Sequence, residues 1–165
     1  MARIKIIPPK KFDYSTDISL RISDINYGGH LGHDSILSLA HEARVRLFKS
    51  HGFTELNAFG PAIILSDVAI YYKSEGFYGD IVTVDIAVCD YLKYGCDLVY
   101  RMTNKETGKI VALLKTGIVF IYYEKHEVVQ VPKEFKALFK ERKYSVEVQT
   151  KGLSLLKLVS ILSPL

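Results

Sequence analysis

Asp24-Ile25-Asn26-Tyr27-Gly28-Gly29-His30-Leu31-Gly32-His33 separates two stretches with different hydrophobic periods. Before it, Thr16, Ile18, Leu20 and Ile22 alternate with Asp17, Ser19, Arg21 and Ser23, the two-residue period of a half-buried strand. After it, Ile36, Leu39, Ala40, Ala43 and Leu47 recur at spacings of three and four, which predicts an amphipathic helix over residues 34–50. At about 1.5 Å per residue that helix is about 25 Å long. Asp34 and Ser35 suit its start, and Gly52 suits its end. The quoted stretch is rich in Gly and short polar side chains. It is therefore a loop that delivers a strand into a helix.

From residue 62 to residue 123 the pattern is that of strands. Residues 63–73 form the first and end at the turn Ser74-Glu75-Gly76. Residues 81–90 place Val82, Val84, Ile86 and Val88 on one face, and residues 96–103 do the same with Cys96, Leu98, Tyr100 and Met102. Asn104-Lys105-Glu106-Thr107-Gly108 is a hairpin turn by composition. The last long strand, residues 109–123, is apolar on both faces in its second half, which suits the middle of a sheet or a subunit interface. Pro132 opens a short helix over 133–143, with Phe135, Leu138 and Phe139 as its apolar side. Short links between successive strands mean antiparallel neighbours. The fold class is thus α+β, with one long helix packed on one face of an antiparallel sheet. Residues 1–143 form a single domain. Residues 144–165 are a tail whose leucines, broken by Lys157, are expected to dock as a strand or helix.

Composition narrows the function classes. Of 165 residues, 48% are hydrophobic and 24% charged, which excludes a disordered chain. The net charge of +4 is too small and too scattered to point to nucleic acid. No apolar run reaches the length of about 18 residues that a transmembrane helix needs, and residues 1–12 lack the core of a signal peptide. Cys89 and Cys96 make neither a disulfide framework nor a metal site, and read as small buried residues in a reduced, cytoplasmic compartment. No zinc spacing, nucleotide-phosphate loop or Gly-x-Ser-x-Gly elbow occurs, so no metal and no tightly bound cofactor is expected.

Asp24-x-Asn26-x-x-Gly29-His30, running into a helix that holds Glu42-Ala43-Arg44, resembles the hotdog-fold acyl-CoA thioesterases of the 4-hydroxybenzoyl-CoA thioesterase-like group. Their usual pattern is Asp-x-Asp-x-x-Gly-His-x-Asn-Asn before the helix and a Glu-x-Ala-Arg-like stretch inside it. Gly79-Asp80 before an alternating strand also looks like that group, and the resemblance covers about residues 13–138. It implies a sheet wrapped around one central helix. It also implies a homodimer joined edge to edge, often paired into a tetramer, with active sites at the dimer interface. The substrate it implies is acyl-CoA, with coenzyme A entering as part of that substrate. Asn26 stands where the family usually carries its catalytic carboxylate, and Gly32 and His33 stand where it carries two asparagines.

Thioester hydrolysis needs donors for the developing oxyanion, a base for water and a thiolate that leaves. A helix start approached by glycines offers backbone N–H groups for the first task. Asn26 can hold water or the thioester, and His30 can polarise the carbonyl or shuttle a proton. Asp34 and Asp67 are the candidate bases. Tyr27, Gly28, Gly29, His33 and Ser66 are the expected substrate contacts. Ordinary structural roles stand beside each of these. Asn26 and the glycines can simply make a turn, His30 can lock the loop, and Asp34 can cap the helix. Tyr71, Tyr72, Lys73 and Lys93 read as solvated strand ends more readily than as contacts to the nucleotide of CoA. Asp24 is expected to brace the loop, and Glu42 to pair with Arg46 one turn on. Two functions follow: an acyl-CoA thioesterase, or a non-catalytic acyl-CoA or acyl-carrier-protein binder that lacks the base.

Overall fold

A computed structural model describes residues 3–150 and 153–155. In chain order its strands and helices are β1 (Arg3–Ile7), β2 (Tyr14–Ser19), α1 (His33–Ser50), β3 (Ala62–Tyr72), β4 (Ile81–Cys89), β5 (Gly95–Asn104), β6 (Ile110–Tyr122), β7 (Glu127–Val129), α2 (Lys133–Leu138), β8 (Ser145–Thr150) and β9 (Leu153–Leu155). The main sheet has the order β2-β4-β5-β6-β3, antiparallel throughout, with β7 also paired to β6. This is the expected α+β arrangement of one long helix wrapped by an antiparallel sheet.

Register explains the core. Ile86 faces Tyr100, which faces Leu114; Val88 faces Leu98, which faces Thr116. These side chains lie on one face of the sheet, and α1 covers that face with Ile36, Leu39, Ala40, Ala43, Leu47 and Phe48, all buried. Ala40 and Ala43 are small, so the helix backbone sits close to the sheet. Each Leu or Phe sealed there contributes about 1.5–3 kcal/mol. Both cysteines are free and buried, Cys96 on the helix side and Cys89 on the outer side.

Two elements differ from the sequence reading. The strand before the loop ends at Ser19, because residues Ile22–Asp24 form a 3-10 turn closed by Asp24, whose carboxylate accepts from the Arg21 backbone N–H at 2.8 Å. The second helix is shorter than expected and stops at Leu138. Beyond Phe139 the chain runs alongside β4, bridging at Cys89 and Arg142, and the Arg142 guanidinium reaches Asp13 at 2.6 Å.

The tail begins as a strand. β8 pairs with β1 and with β9, forming a second, three-stranded sheet on the outer face of the first. Ile6 and Val146 pack there on Ala87, Cys89, Val99 and Leu113. The expectation for residues 156–165 lies outside the described residues. Among the described residues, no helix is long and apolar enough to cross a membrane.

Phe135 shows how a six-residue helix is held. It is fully buried, and its ring lies within 5.0–6.5 Å of those of Phe48, Phe53, Tyr91, Phe120 and Phe139. Phe135→Ala is expected to cost about 3–5 kcal/mol, read as a fall in the denaturant midpoint. A loss below about 1 kcal/mol would mean that the aromatic cluster does not hold α2.

Candidate functional site

The loop between β2 and α1 is closed by its own short polar groups. Asn26 Oδ1 accepts from the Gly28 N–H at 2.8 Å, and the Asn26 carbonyl accepts from the Gly29 N–H at 3.0 Å. The Asn26 N–H returns to the His30 carbonyl at 2.9 Å, and Ile25 bridges to Leu31. Asn26 Nδ2 lies 3.3 Å from His30 Nδ1. The same Nδ1 lies 3.5 Å from the Leu31 carbonyl, which can only accept, so its two neighbours call for opposite tautomers of the ring. Nε2 lies over Gly28, 3.0 Å from where a Cβ there would stand. Gly29 serves a different purpose. Its φ is +81°, and nothing lies near its missing side chain. It is glycine for the backbone angle and not for a close approach.

Asp24 braces the loop as expected. It is buried, accepts from Arg21 and passes its own carbonyl to the Gly32 N–H at 2.9 Å. Burial pushes its carboxyl pKa up, but the hydrogen bonds and charge of Arg21 outweigh that, and the net direction is down.

Helix α1 starts without a side-chain cap, because the residue before it is Gly32. Asp34 is the second helical residue, exposed, with its carboxylate folded back over Gly32. Oδ1 lies 2.5 Å from where a Gly32 Cβ would be. Asp34 is thus not the cap. It still adds negative charge to the first turn, where the helix dipole favours it.

Beside this helix start lies an open cleft of about 340 Å³. Asn26, His30, Leu31, His33 and Ile36 line it from the loop and helix α1, and Tyr72, Lys73, Ser74, Glu75 and Val111 form the second wall, from β3, its turn and β6; Leu31, Ile36 and Val111 are the buried ones. The second wall is held to the loop by the Leu31 N–H, which donates to the Gly76 carbonyl at 2.8 Å. It is held to β6 by the Lys73 N–H on Val111 and by the Ser74 hydroxyl on Ile110. Reasoning from sequence missed Ser74 and Glu75, which read there as a plain turn. Gly76 was the available signal: it is buried, and a side chain there would press on Leu20 at 3.0 Å. Tyr27 projects from the loop tip fully exposed and does not line the cleft.

The structure does not bring Ser66 and Asp67 to this cleft. Ser66 is the extra residue of a β-bulge between Leu65 and Asp67. Asp67 faces outward, accepting from the Gly117 N–H at 3.1 Å and pairing with Lys115. Lys115 also meets Asp97 at 3.3 Å, and the Tyr144 hydroxyl donates to Asp97 at 2.6 Å. This polar cluster ties the start of the tail to the outer face. Among the described residues no group of His, Cys, Asp and Glu is arranged to hold a metal ion.

Because Gly29 is left-handed, Gly29→Val is expected to strain the loop by at least about 1–2 kcal/mol, visible as a lowered melting temperature. An unchanged melting temperature would show that the loop relaxes into another conformation.

Comparison with known proteins agrees with this geometry. The family model for the thioesterase-like superfamily matches residues 20–139, leaving β1, β2, β8 and β9 outside the match. No curated protein matches the chain. Among solved structures, a 1,4-dihydroxy-2-naphthoyl-CoA thioesterase from Synechocystis superimposes with a TM-score of 0.68 at 16% identity, covering 81% of this chain and 95% of that one. A DHNA-CoA thioesterase from Staphylococcus aureus gives 0.66 at 20% identity, covering 74% and 83%. A thioesterase-superfamily protein from Jannaschia gives 0.71 at 15% identity, covering 79% and 83%. At such identities the structures show a shared fold. The family match spans most of the chain and includes the loop, the helix and the cleft, and on that ground the chain belongs to the thioesterase-like superfamily.

Proposed function

We propose that this chain is an acyl-CoA thioesterase, using water to release a carboxylic acid and coenzyme A. The observation that carries the reading is the cleft at the uncapped start of α1, with His30 on one wall and Glu75 on the other. The thioester carbonyl oxygen points at the first-turn N–H groups of α1, which stabilise it as it becomes an oxyanion. A carboxylate takes a proton from water as the water oxygen bonds to the carbonyl carbon. The carbon–sulfur bond then breaks, and the CoA thiolate receives the proton. His30, on the wall of the cleft, serves as proton donor to the carbonyl or the departing sulfur. No metal or organic cofactor enters the scheme.

Two carboxylates compete for the role of base. Glu75 lines the cleft; Asp34 stands on the first turn of the helix beside it. Asp34→Asn and Glu75→Gln separate them. The variant that removes the base is expected to lose about 10²–10⁴ in kcat, with the other near the unmodified rate. Full turnover in both would sink the assignment of either as base. Asn26 supports a second reading, a binder of acyl-CoA or acyl-carrier protein. Its amide is spent on hydrogen bonds within the loop and cannot take a proton. Binding of acyl-CoA without turnover, with turnover appearing in Asn26→Asp, would decide for the binder.

The same proposal includes a homodimer joined at β3. This eleven-residue strand is an edge of the main sheet, with Leu65, Val68 and Tyr72 exposed. An unpaired edge of that length invites a second strand. Tyr72 also lines the cleft, so a partner there adjoins the site. Sedimentation is expected to give twice the mass of one chain, and Leu65→Asp/Val68→Asp to give the monomer. A stable monomer at micromolar concentration would remove the dimer. Both cysteines are free and buried, which suits a reducing, cytoplasmic location.

A further inference from the structure

Resting on the homodimer joined at β3, we propose that the outer sheets of the two copies meet above that seam. Ile4 and Val148 of one chain then pack against the partner's Ile4 and the partner's Val148. The outer sheet crosses the main sheet instead of running along it. Just before β8 begins, the chain is fixed over β4 and β5: it bridges Cys89 at Arg142, and the Tyr144 hydroxyl donates to Asp97. Register then sets Ser145 opposite Ile7, Val146 opposite Ile6 and Val148 opposite Ile4. β1 itself lies against β6 and β3. From Ser145 onward the pair therefore travels from the middle of the main sheet toward its β3 edge, the near-perpendicular crossing known for stacked sheets.

Burial changes along that path. Ile6 and Ile4 are two residues apart in a strand and point to the same face, the one turned to the main sheet. Ile6 is 1% exposed, and Val146 packs beside it in the cluster with Leu113, Ala69 and Tyr71. Ile4 and Val148, the next pair on that face, are 44% and 46% exposed. The apolar pattern of the face continues where the main sheet stops, and among the described residues this pair is only half covered.

A second copy fits the pair by symmetry. The Ile63 N–H is taken by the Glu55 carbonyl, so the free part of the β3 edge runs over residues 65–72. A two-fold axis joining two such edges passes near their middle, at Val68 and Ala69. Ala69 and Tyr71 are the β3 residues in the cluster around Ile6. The axis therefore runs close to the uncovered end of the outer sheet, and an isologous contact sets each exposed pair against its own copy. The seam also gains area. One strand pair with Leu65 and Val68 is thin beside the roughly 1,200–2,000 Å² that stable interfaces bury, and apolar contact in a second layer thickens it. β1 and β8 lie outside the residues 20–139 matched by the family model, so this layer is an addition to the family's domain.

The test uses the full-length chain and reads the dimer dissociation constant by sedimentation. Ile4→Lys/Val148→Lys is expected to raise it about tenfold or more, because apolar side chains sealed in the dimer are replaced by charges. Ile7→Lys, on the opposite, exposed face of β1, is expected to leave it unchanged and controls for folding of the outer sheet. Val148→Cys treated with a short bismaleimide is expected to give a linked dimer, which the unmodified chain with its buried thiols does not. That link keeps the test open if the double variant does not fold. In a protein that is a dimer, an unchanged constant in Ile4→Lys/Val148→Lys would mean that the pair is covered from within its own chain or left to solvent, and would overturn the proposal. So would an equal loss in Ile7→Lys, or no link from Val148→Cys. Pairing at β3 survives all three results. A monomeric unmodified protein removes both readings. If Ile4→Lys/Val148→Lys breaks a dimer that Leu65→Asp/Val68→Asp leaves whole, pairing at β3 falls and the outer-sheet contact stands without it.

Discussion

Everything about the site depends on how α1 is seated in the concave face of the main sheet. Ala40 and Ala43 bring the helix backbone close, and Leu39, Leu47 and Phe48 fill the space on either side. Polar contacts then fix the seat against sliding. Arg44, buried, bonds Glu55 at 2.5 Å, and His41 reaches the other oxygen of the same carboxylate at 3.0 Å. Arg46 pairs with Glu42 and also reaches Thr16 and the Asp17 carbonyl on β2. Burial pushes the Glu55 carboxyl up, but Arg44 more than offsets it and the net direction is down, so the pair is charged at neutral pH. With the helix held from both sides, its first residue has one position. The connection that feeds it must close within thirteen residues, 20–32, and the cleft forms where that loop meets the turn after β3.

The parts of this fold that were legible in the sequence are those specified by local period. The alternation of Val82 to Val88 and of Cys96 to Met102 assigns the inner faces of β4 and β5, and the register sets Val84, Ile86 and Val88 opposite Met102, Tyr100 and Leu98. The three-four spacing of Ile36 to Leu47 assigns the buried face of α1. Long-range pairing left no such mark. β1 is five residues long, ends beside two prolines and pairs with a strand at the other end of the chain, where Lys5 meets Glu147. The pairing of β1 with β8 joins residues about 140 apart and so leaves no hairpin signal in the sequence.

Asp67 illustrates a subtler loss. In a regular strand it would share a face with Leu65, which lies on the helix side opposite Ile118. The bulge at Ser66 inserts one residue, and one residue is enough to turn every later side chain over. Asp67 therefore meets Lys115 and Gly117 on the outside. Gly117 accommodates it, since a side chain there would stand 2.5 Å from Ser66 Oγ and 2.9 Å from Asp67 Oδ1. Nothing in the alternation of residues 62–72 announces that inversion. The site shows the same limit. Asn26, His30 and His33 are neighbours in sequence and fall on one wall, whereas Glu75 reaches the cleft only through the tertiary contact of Gly76 with Leu31.

The two faces of the main sheet are finished in different ways. The outer face carries Ala87, Cys89, Val99 and Leu113, and strands from both ends of the same chain cover them, with Ile6 and Val146 supplying the apolar contact. These strands lie outside the residues that the family model matches. Burial there needs no second copy, because β1 and β8 satisfy each other's backbone while they cover the apolar surface. Among the described residues the β3 edge has less cover. The Ile63 N–H donates to the Glu55 carbonyl at 2.8 Å, but no second strand pairs there, and Leu65 and Val68 stand exposed on its helix side. Unsatisfied edge and exposed apolar surface coincide on the strand that ends at Tyr72, a wall of the cleft. Among the described residues, an added strand at that edge would gain hydrogen bonds, bury apolar side chains and approach the site at once.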